Sequence, residues 1–186
     1  MNLKRMAITA LATVGIMTTG AALAGPASAD PEPYTGDPYT QALQLSWPVL
    51  KQGQTSEEVR TLQWLLNCHG KKVDVPSRFG PKTHAAVYAF QAELSDRPDG
   101  VVGTATWALL IGKGSIVYGG TDNDCVRALQ VALNKWRYND DLPITGYLGP
   151  RTKAKLHKFQ SAHGLPATDQ PDAKTWNKLI ATPAGK

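Results

Sequence analysis

The chain repeats itself. Val59-Arg60-Thr61-Leu62-Gln63-Trp64-Leu65-Leu66-Asn67 returns as Val126-Arg127-Ala128-Leu129-Gln130-Val131-Ala132-Leu133-Asn134, with six of nine residues identical at an offset of 67. Phe79-Gly80-Pro81-Lys82-Thr83 with Phe90-Gln91 returns as Leu148-Gly149-Pro150-Arg151-Thr152 with Phe159-Gln160, at an offset of 69. Thr106-Trp107 with Leu110-Ile111 returns as Thr175-Trp176 with Leu179-Ile180, also at 69. Three blocks in one order mean a single supersecondary unit used twice. The change of offset puts a two-residue insertion between Asn134 and Leu148. The copies span 48–112 (module 1) and 116–181 (module 2). A chain of 186 residues leaves no room for an eight-stranded α/β barrel. With 42% hydrophobic and 19% charged residues, it carries enough apolar side chains for packed cores, so disorder throughout is excluded.

Each copy reads as three short helices. Val59, Leu62 and Leu66 lie at i, i+3 and i+7, one face of a helix, and Val126, Leu129 and Leu133 repeat that face. Ser56 is the expected N-cap of the first helix, with Glu57 and Glu58 near the positive end of its dipole. The matching helix of module 2 is expected to begin at Asp122 or Asp124. Gly80-Pro81 and Gly149-Pro150 start the second helices, because proline at the first helical position loses no hydrogen bond. The third helix of module 1 starts near Thr104, and Asp172 is the expected cap of its counterpart in module 2. Trp107 with Leu110 and Trp176 with Leu179 form their buried faces, and Gly112 stops the first of them. The expected fold class is all-α: two tandem three-helix-bundle modules after a signal peptide and a short extended leader.

The segment ahead of the modules is of two kinds. Lys4 and Arg5, an apolar run from Ala7 to about Ala24, and the triplet Ala27-Ser28-Ala29 follow the order of a secretory signal peptide over 1–29. Its removal would take the net charge from +5 to +3. Residues 30–47 hold Pro31, Pro33, Gly36 and Pro38, and read as an extended leader. An exported chain with two cysteines is expected to join them, Cys68 to Cys125. The other reading is a nucleophilic Cys68 beside His69, although helix neighbours point about 100° apart and do not face each other.

The order GQTSEEVRTLQWLLN, RFGPKTHAAVYAFQ, DGVVGTATWALL resembles the bacterial peptidoglycan-binding domain of the small three-helix type (peptidoglycan-binding domain 1-like), commonly appended to cell-wall hydrolases. The resemblance covers both copies. Pro76-Ser77 stands where the family usually has Asp-Gly. In module 2, Leu148 replaces the Phe and Thr168–Asp172 replaces the D-G-x-x-G loop, which marks that copy as degenerate. The resemblance implies peptidoglycan as ligand.

Peptidoglycan offers amides, carboxylates and sugar hydroxyls, so a site for it needs donors, positive charge and an aromatic surface. Arg78, Lys82 and Tyr88 around the second helix of module 1, and Tyr147, Arg151 and Lys155 in module 2, are the expected ligand-binding residues. Arg151, Lys155 and Lys158 at i, i+4 and i+7 are expected to share a face that attracts an acidic wall. Gln63, Gln91, Gln130 and Gln160 are expected to satisfy backbone groups inside the bundles. Trp107 and Trp176 read as core. Trp64 and Trp136 have no aromatic counterpart in the other copy, which makes either a stacking candidate.

Catalysis finds no foothold. There is no H-E-x-x-H and no G-x-S-x-G, and His157 and His163 sit six apart, off any single helical face. Glu57, Glu58 and Glu93 fit a glycosidase by residue type alone. The expectation is a secreted, extracellular or wall-associated, non-catalytic peptidoglycan binder. It calls for no metal and no cofactor, no nucleic acid partner, and no membrane after signal cleavage. The alternative is an adaptor or inhibitor of a secreted wall hydrolase on the same scaffold; a cell-wall hydrolase ranks third.

Overall fold

The computed structural model describes residues 37–94, 97–112, 118–136 and 141–183. The expected signal peptide, 1–29, and the first part of the leader lie outside the described residues. Seven helices are described: α1 (Pro38–Leu43), α2 (Glu57–Cys68), α3 (Pro81–Leu94), α4 (Thr104–Gly112), α5 (Asp124–Lys135), α6 (Pro150–Ala162) and α7 (Ala173–Ala181). The expected three-helix unit is thus present twice, as α2–α4 and α5–α7.

Local chemistry sets the helix ends. Ser56 Oγ accepts the Val59 N–H, and Asp172 Oδ1 accepts the Thr175 N–H. Helix α5 begins at Asp124, within the expected bounds, and its cap is Asn123 rather than either flanking aspartate, the Asn123 Oδ1 accepting from the Cys125 and Val126 N–H groups. Both aspartates instead bind Arg127. Pro150 opens α6 and Pro81 opens α3.

The leader is the main departure. Residues 38–43 form a helix where an extended chain was expected. Asp37 accepts from the Tyr39 and Thr40 N–H groups and from Thr40 Oγ1, and Pro38 sits in the first turn, where it starts a helix rather than breaking one. The helix packs on α4 and α7. A Cβ on Gly112 would meet the Tyr39 backbone at 2.3 Å, so glycine there allows the close approach. Ala42 and Trp47 are buried; Trp47 stacks on Trp107 at 5.6 Å and donates from Nε1 to the Ala42 carbonyl. Leu50 then pairs with Val102 by two backbone hydrogen bonds, tying this segment to module 1. Asn177 of α7 donates to the Ser46 carbonyl, tying it to module 2.

Trp107 and Trp176 are fully buried at equivalent places, with Phe79, Phe90 and Phe159. Burial of such side chains contributes about 1.5–3 kcal/mol each. The indole N–H groups find partners: Trp107 donates to the Pro48 carbonyl and Trp176 to Tyr118 Oη. The modules meet along α2 and α5, which run antiparallel. Cys68 at the end of α2 is joined to Cys125 at the start of α5, and Glu58 at the start of α2 meets Lys135 at the end of α5.

Candidate functional site

Buried amides hold the loops that precede α3 and α6. Gln63 Oε1 accepts the Ser77 N–H, and its Nε2 donates to the Arg78 carbonyl and to Thr83 Oγ1. Gln130 repeats this with Gly146, Tyr147 and Thr152. Gln91 clamps Asp99, Gly100 and Val101, and Gln160 clamps Thr168. Asn67 and Asn134 make paired bonds to the main chains of Val73 and Leu142. The glutamines are framework, as their recurrence in both copies implied. The asparagine pair also narrows the insertion to the stretch between Asn134 and Leu142.

These clamps present the expected ligand residues, but not as one cluster. Arg78 and Lys82 are exposed at the start of α3, and Lys82 Nζ lies 3.0 Å from Asp74 Oδ2. Tyr88 is 47% exposed, yet six residues place it roughly 240° around the helix from Lys82. Tyr147 is 51% exposed, with its ring folded over Gly149 so closely that a Cβ there would lie 2.5 Å from it. Arg151 is exposed in the first turn of α6. Lys155 corrects the expectation. It is buried at 4% exposure, its Nζ donating to Asn134 Oδ1 at 3.1 Å. The expected basic stripe is therefore broken, with Arg151 and Lys158 outside and Lys155 within.

The structure gathers a different set in module 1. A concavity of about 450 Å³ lies between the turn Gly70–Val73 and α3, lined by Lys71, Lys72, Lys82, Ala85 and Ala86. Lys71 pairs with Glu93, Lys72 with Asp124 and Lys82 with Asp74. The Lys82–Asp74 pair is exposed on both sides and contributes about 0–1 kcal/mol, so an incoming carboxylate or phosphate can replace Asp74 at little cost. Ala86 leaves the floor open. Lys155 holds the equivalent position in module 2 and runs inward to Asn134, so the same space is taken up there. Sequence reading missed Lys71 and Lys72, whose only signal was a paired lysine after the helix-ending Gly70.

Module 2 has its own groove, of about 500 Å³, lined by Trp136, His157, Lys158, Ser161 and Ala162. Trp136 sets its ring perpendicular to Phe159 at 5.3 Å. His157 Nε2 lies 3.0 Å from Asp169 Oδ1, and Lys153 Nζ lies 2.6 Å from the other oxygen. The Lys153 hydrogen bond, followed by His157, holds the Asp169 carboxyl below its ordinary value. Of the two tryptophans without an aromatic counterpart in the other copy, Trp136 thus lines a surface groove. Trp64 is half-buried beneath the Arg127 guanidinium, 5.3 Å from its ring centre.

Titratable groups under strain lie in the interior. Burial pulls Lys135 below the usual lysine range, offset in part by Glu58. Burial raises Glu58, but hydrogen bonds from Lys135 and Ser56 outweigh it and leave its carboxyl lowered. Burial likewise lowers His69, which packs on Phe90 and donates to the Leu110 carbonyl at 2.7 Å. Cys68 and Cys125 are joined, so the nucleophilic reading of Cys68 falls away. Among the described residues, no three His, Cys, Asp or Glu side chains come together as metal ligands, and no helix is long and apolar enough to cross a membrane.

Two copies of a three-helix unit, each with amide-clamped loops and a surface concavity, define a tandem binding-module protein. The peptidoglycan binding domain model matches twice, over residues 55–110 and 122–179, and the chain belongs to that family. The chain is 43% identical over 65 residues to the protein described as "Uncharacterized protein in bpoA1 3'region" of Kitasatospora aureofaciens, covering 34% of this chain and 55% of that one. It is 31% identical over 102 residues to the zinc D-Ala-D-Ala carboxypeptidase of Streptomyces albus G, covering 54% of this chain and 38% of that one. The chain therefore spans about half or less of either relative. No solved structure matches the chain at a significant level.

Proposed function

We propose that this is a secreted, non-catalytic protein that holds bacterial peptidoglycan through its modules. The observation that carries the reading is the family match over both modules. The concavity bordered by Lys71, Lys72 and Lys82 is the main contact of module 1, where lysines take the carboxylates of stem peptides. Arg78 and Tyr88 offer separate contacts around α3. Tyr147 and Arg151 serve module 2, while Lys155 stays structural. Positive charge at these faces speeds encounter with an acidic wall and makes binding sensitive to salt.

The test is sedimentation of the mature protein with purified insoluble peptidoglycan. We expect co-sedimentation at low salt that weakens at high salt. Lys72→Glu with Lys82→Glu should weaken it about tenfold. Protein left in the supernatant at low salt would refute wall binding and favour the adaptor reading. Release of dye from labelled peptidoglycan, abolished by one carboxylate substitution, would refute the non-catalytic part.

A further inference from the structure

The contact between the modules carries its own symmetry. At the offset of 67, Cys68 is the counterpart of Lys135, and Glu58 is the counterpart of Cys125. The disulfide joins 68 to 125, and the ion pair joins 58 to 135. Position for position, these are one contact made twice with the partners exchanged, the signature of a two-fold interface. Between the ends, Thr61 and Leu65 on α2 and Ala128 and Ala132 on α5 continue the same stripes at spacings of three and four. All four are buried, and the small ones let the backbones approach. The equivalent helices α4 and α7 also pack on each other. An axis running between α2 and α5 and between α4 and α7 leaves α3 and α6 as the outer pair, on opposite sides.

The two surface concavities follow this division. The lysine-rimmed one lies on the α3 flank and the Trp136 groove on the α6 flank. Lys72–Asp124, Glu58–Lys135 and the disulfide fix one flank relative to the other. Lysines on one flank, and Lys158 with an indole on the other, suit a strand that alternates carboxylates with sugar rings. The lysine-rimmed concavity borders the turn that follows α2 and the other holds Trp136, which follows α5; these are opposite ends of the antiparallel seam, so the rigid body keeps the two concavities apart.

We propose that the protein is a bridge: its opposite flanks engage two separate peptidoglycan strands at once. The inference rests on the peptidoglycan reading above and deepens it. Each flank used alone would give weak binding. Multivalent strands would then link into networks, because every second contact is made at the high effective concentration of a fixed partner.

The test mixes the full mature protein, disulfide intact, with sonicated soluble peptidoglycan strands and follows light scattering, alongside sedimentation with insoluble peptidoglycan. Bridging predicts scattering that rises to a maximum at intermediate protein and falls at excess protein, where each strand is saturated separately. Lys72→Glu/Lys82→Glu and Trp136→Ala/Lys158→Glu, each checked for native helix content, should each keep measurable co-sedimentation, weakened about tenfold or more, and each lose the scattering peak. Co-sedimentation with no scattering at any ratio would overturn bridging and leave wall binding standing. A variant pair in which one loses all binding and the other none would also overturn it, since one flank then does everything. No co-sedimentation at all would overturn both readings.

Discussion

Ser77 is the one described non-glycine residue with a left-handed backbone, at φ 64°. Its counterpart is Gly146, at φ 79°. Both do the same work: each N–H goes to a buried glutamine, and each C=O accepts from the cap of the next-door helix, Ser56 in module 1 and Asn123 in module 2. Ser77 acts through its main chain, so Ser77→Gly keeps these bonds. A Cβ in this conformation costs about 1–2 kcal/mol. Glycine returns about 0.5–1 kcal/mol of that through the greater freedom of the unfolded chain. The substitution should therefore stabilise the protein by about 0.5–1 kcal/mol, raising the midpoint of thermal unfolding by roughly 1–4 °C. The reverse change is not its mirror image. A Cβ on Gly146 would lie 2.6 Å from the Asn123 nitrogen, so Gly146→Ala adds a clash with backbone to the strain and should cost about 2 kcal/mol or more. Urea unfolding of the oxidised protein, followed by far-ultraviolet circular dichroism, measures both. A Ser77→Gly protein with a lower urea midpoint than wild type would refute the reasoning.

Glu58→Ala should cost about 3 kcal/mol, because it leaves the buried Lys135 ammonium beside the Ile180 carbonyl without its carboxylate. Adding Lys135→Met should recover most of the loss in the same urea titration, and an unaffected single variant would contradict the account. Stability should fall on acidification. Burial depresses His69 in the folded state, so the unfolded chain binds more protons; the contribution is complete above 6.5 and is lost as pH drops through the folded value. Glu58 acts with the same sign below 4.5. Thermal midpoints between pH 7 and pH 5 should decline in wild type and decline less in His69→Asn; equal slopes would show that His69 is not the source. Replacing both cysteines by alanine opens a loop of 57 residues and should cost up to about 4 kcal/mol without loss of helix content. Loss of helix content at low temperature would mean that the modules cannot pair without the bond.

What was legible in the sequence is what is local and repeated. The helices of each module follow from apolar spacing, and the glutamines and tryptophans from recurrence at equivalent positions. The cysteine pair followed from compartment and count. Three features escaped for identifiable reasons. The α1 segment opens with Asp37 and Pro38, and proline count alone cannot separate Pro38 in a first turn from a proline in an extended chain. Spacing at i, i+4 and i+7 says that Arg151, Lys155 and Lys158 lie near one another on a helix, not how deep each sits. Lys155 runs inward to Asn134 Oδ1, which faces it in the folded chain. The seam between the modules was hidden because its α2 side reads Glu58, Thr61, Leu65, Cys68, and its α5 side reads Cys125, Ala128, Ala132, Lys135. Neither looks like an apolar stripe.

That seam also explains where the copies were free to diverge. An interface between two like helices constrains both at once, since a change at position 58 or 68 in one copy must suit position 135 or 125 in the other. The two ends of the seam keep one geometry while using different chemistry, a covalent bond at one and a buried ion pair at the other. Among the described residues, no disulfide or ion pair ties α3 to α6 in this way. Their outer faces differ accordingly, with Ala86 opposite Lys155 and Tyr88 opposite His157 at equivalent positions. A buried charge pair stabilises little compared with an apolar contact, but it rejects mismatched partners. With the disulfide holding the other end, the pair fixes which two surfaces meet and leaves the flanks to acquire separate ligand chemistry.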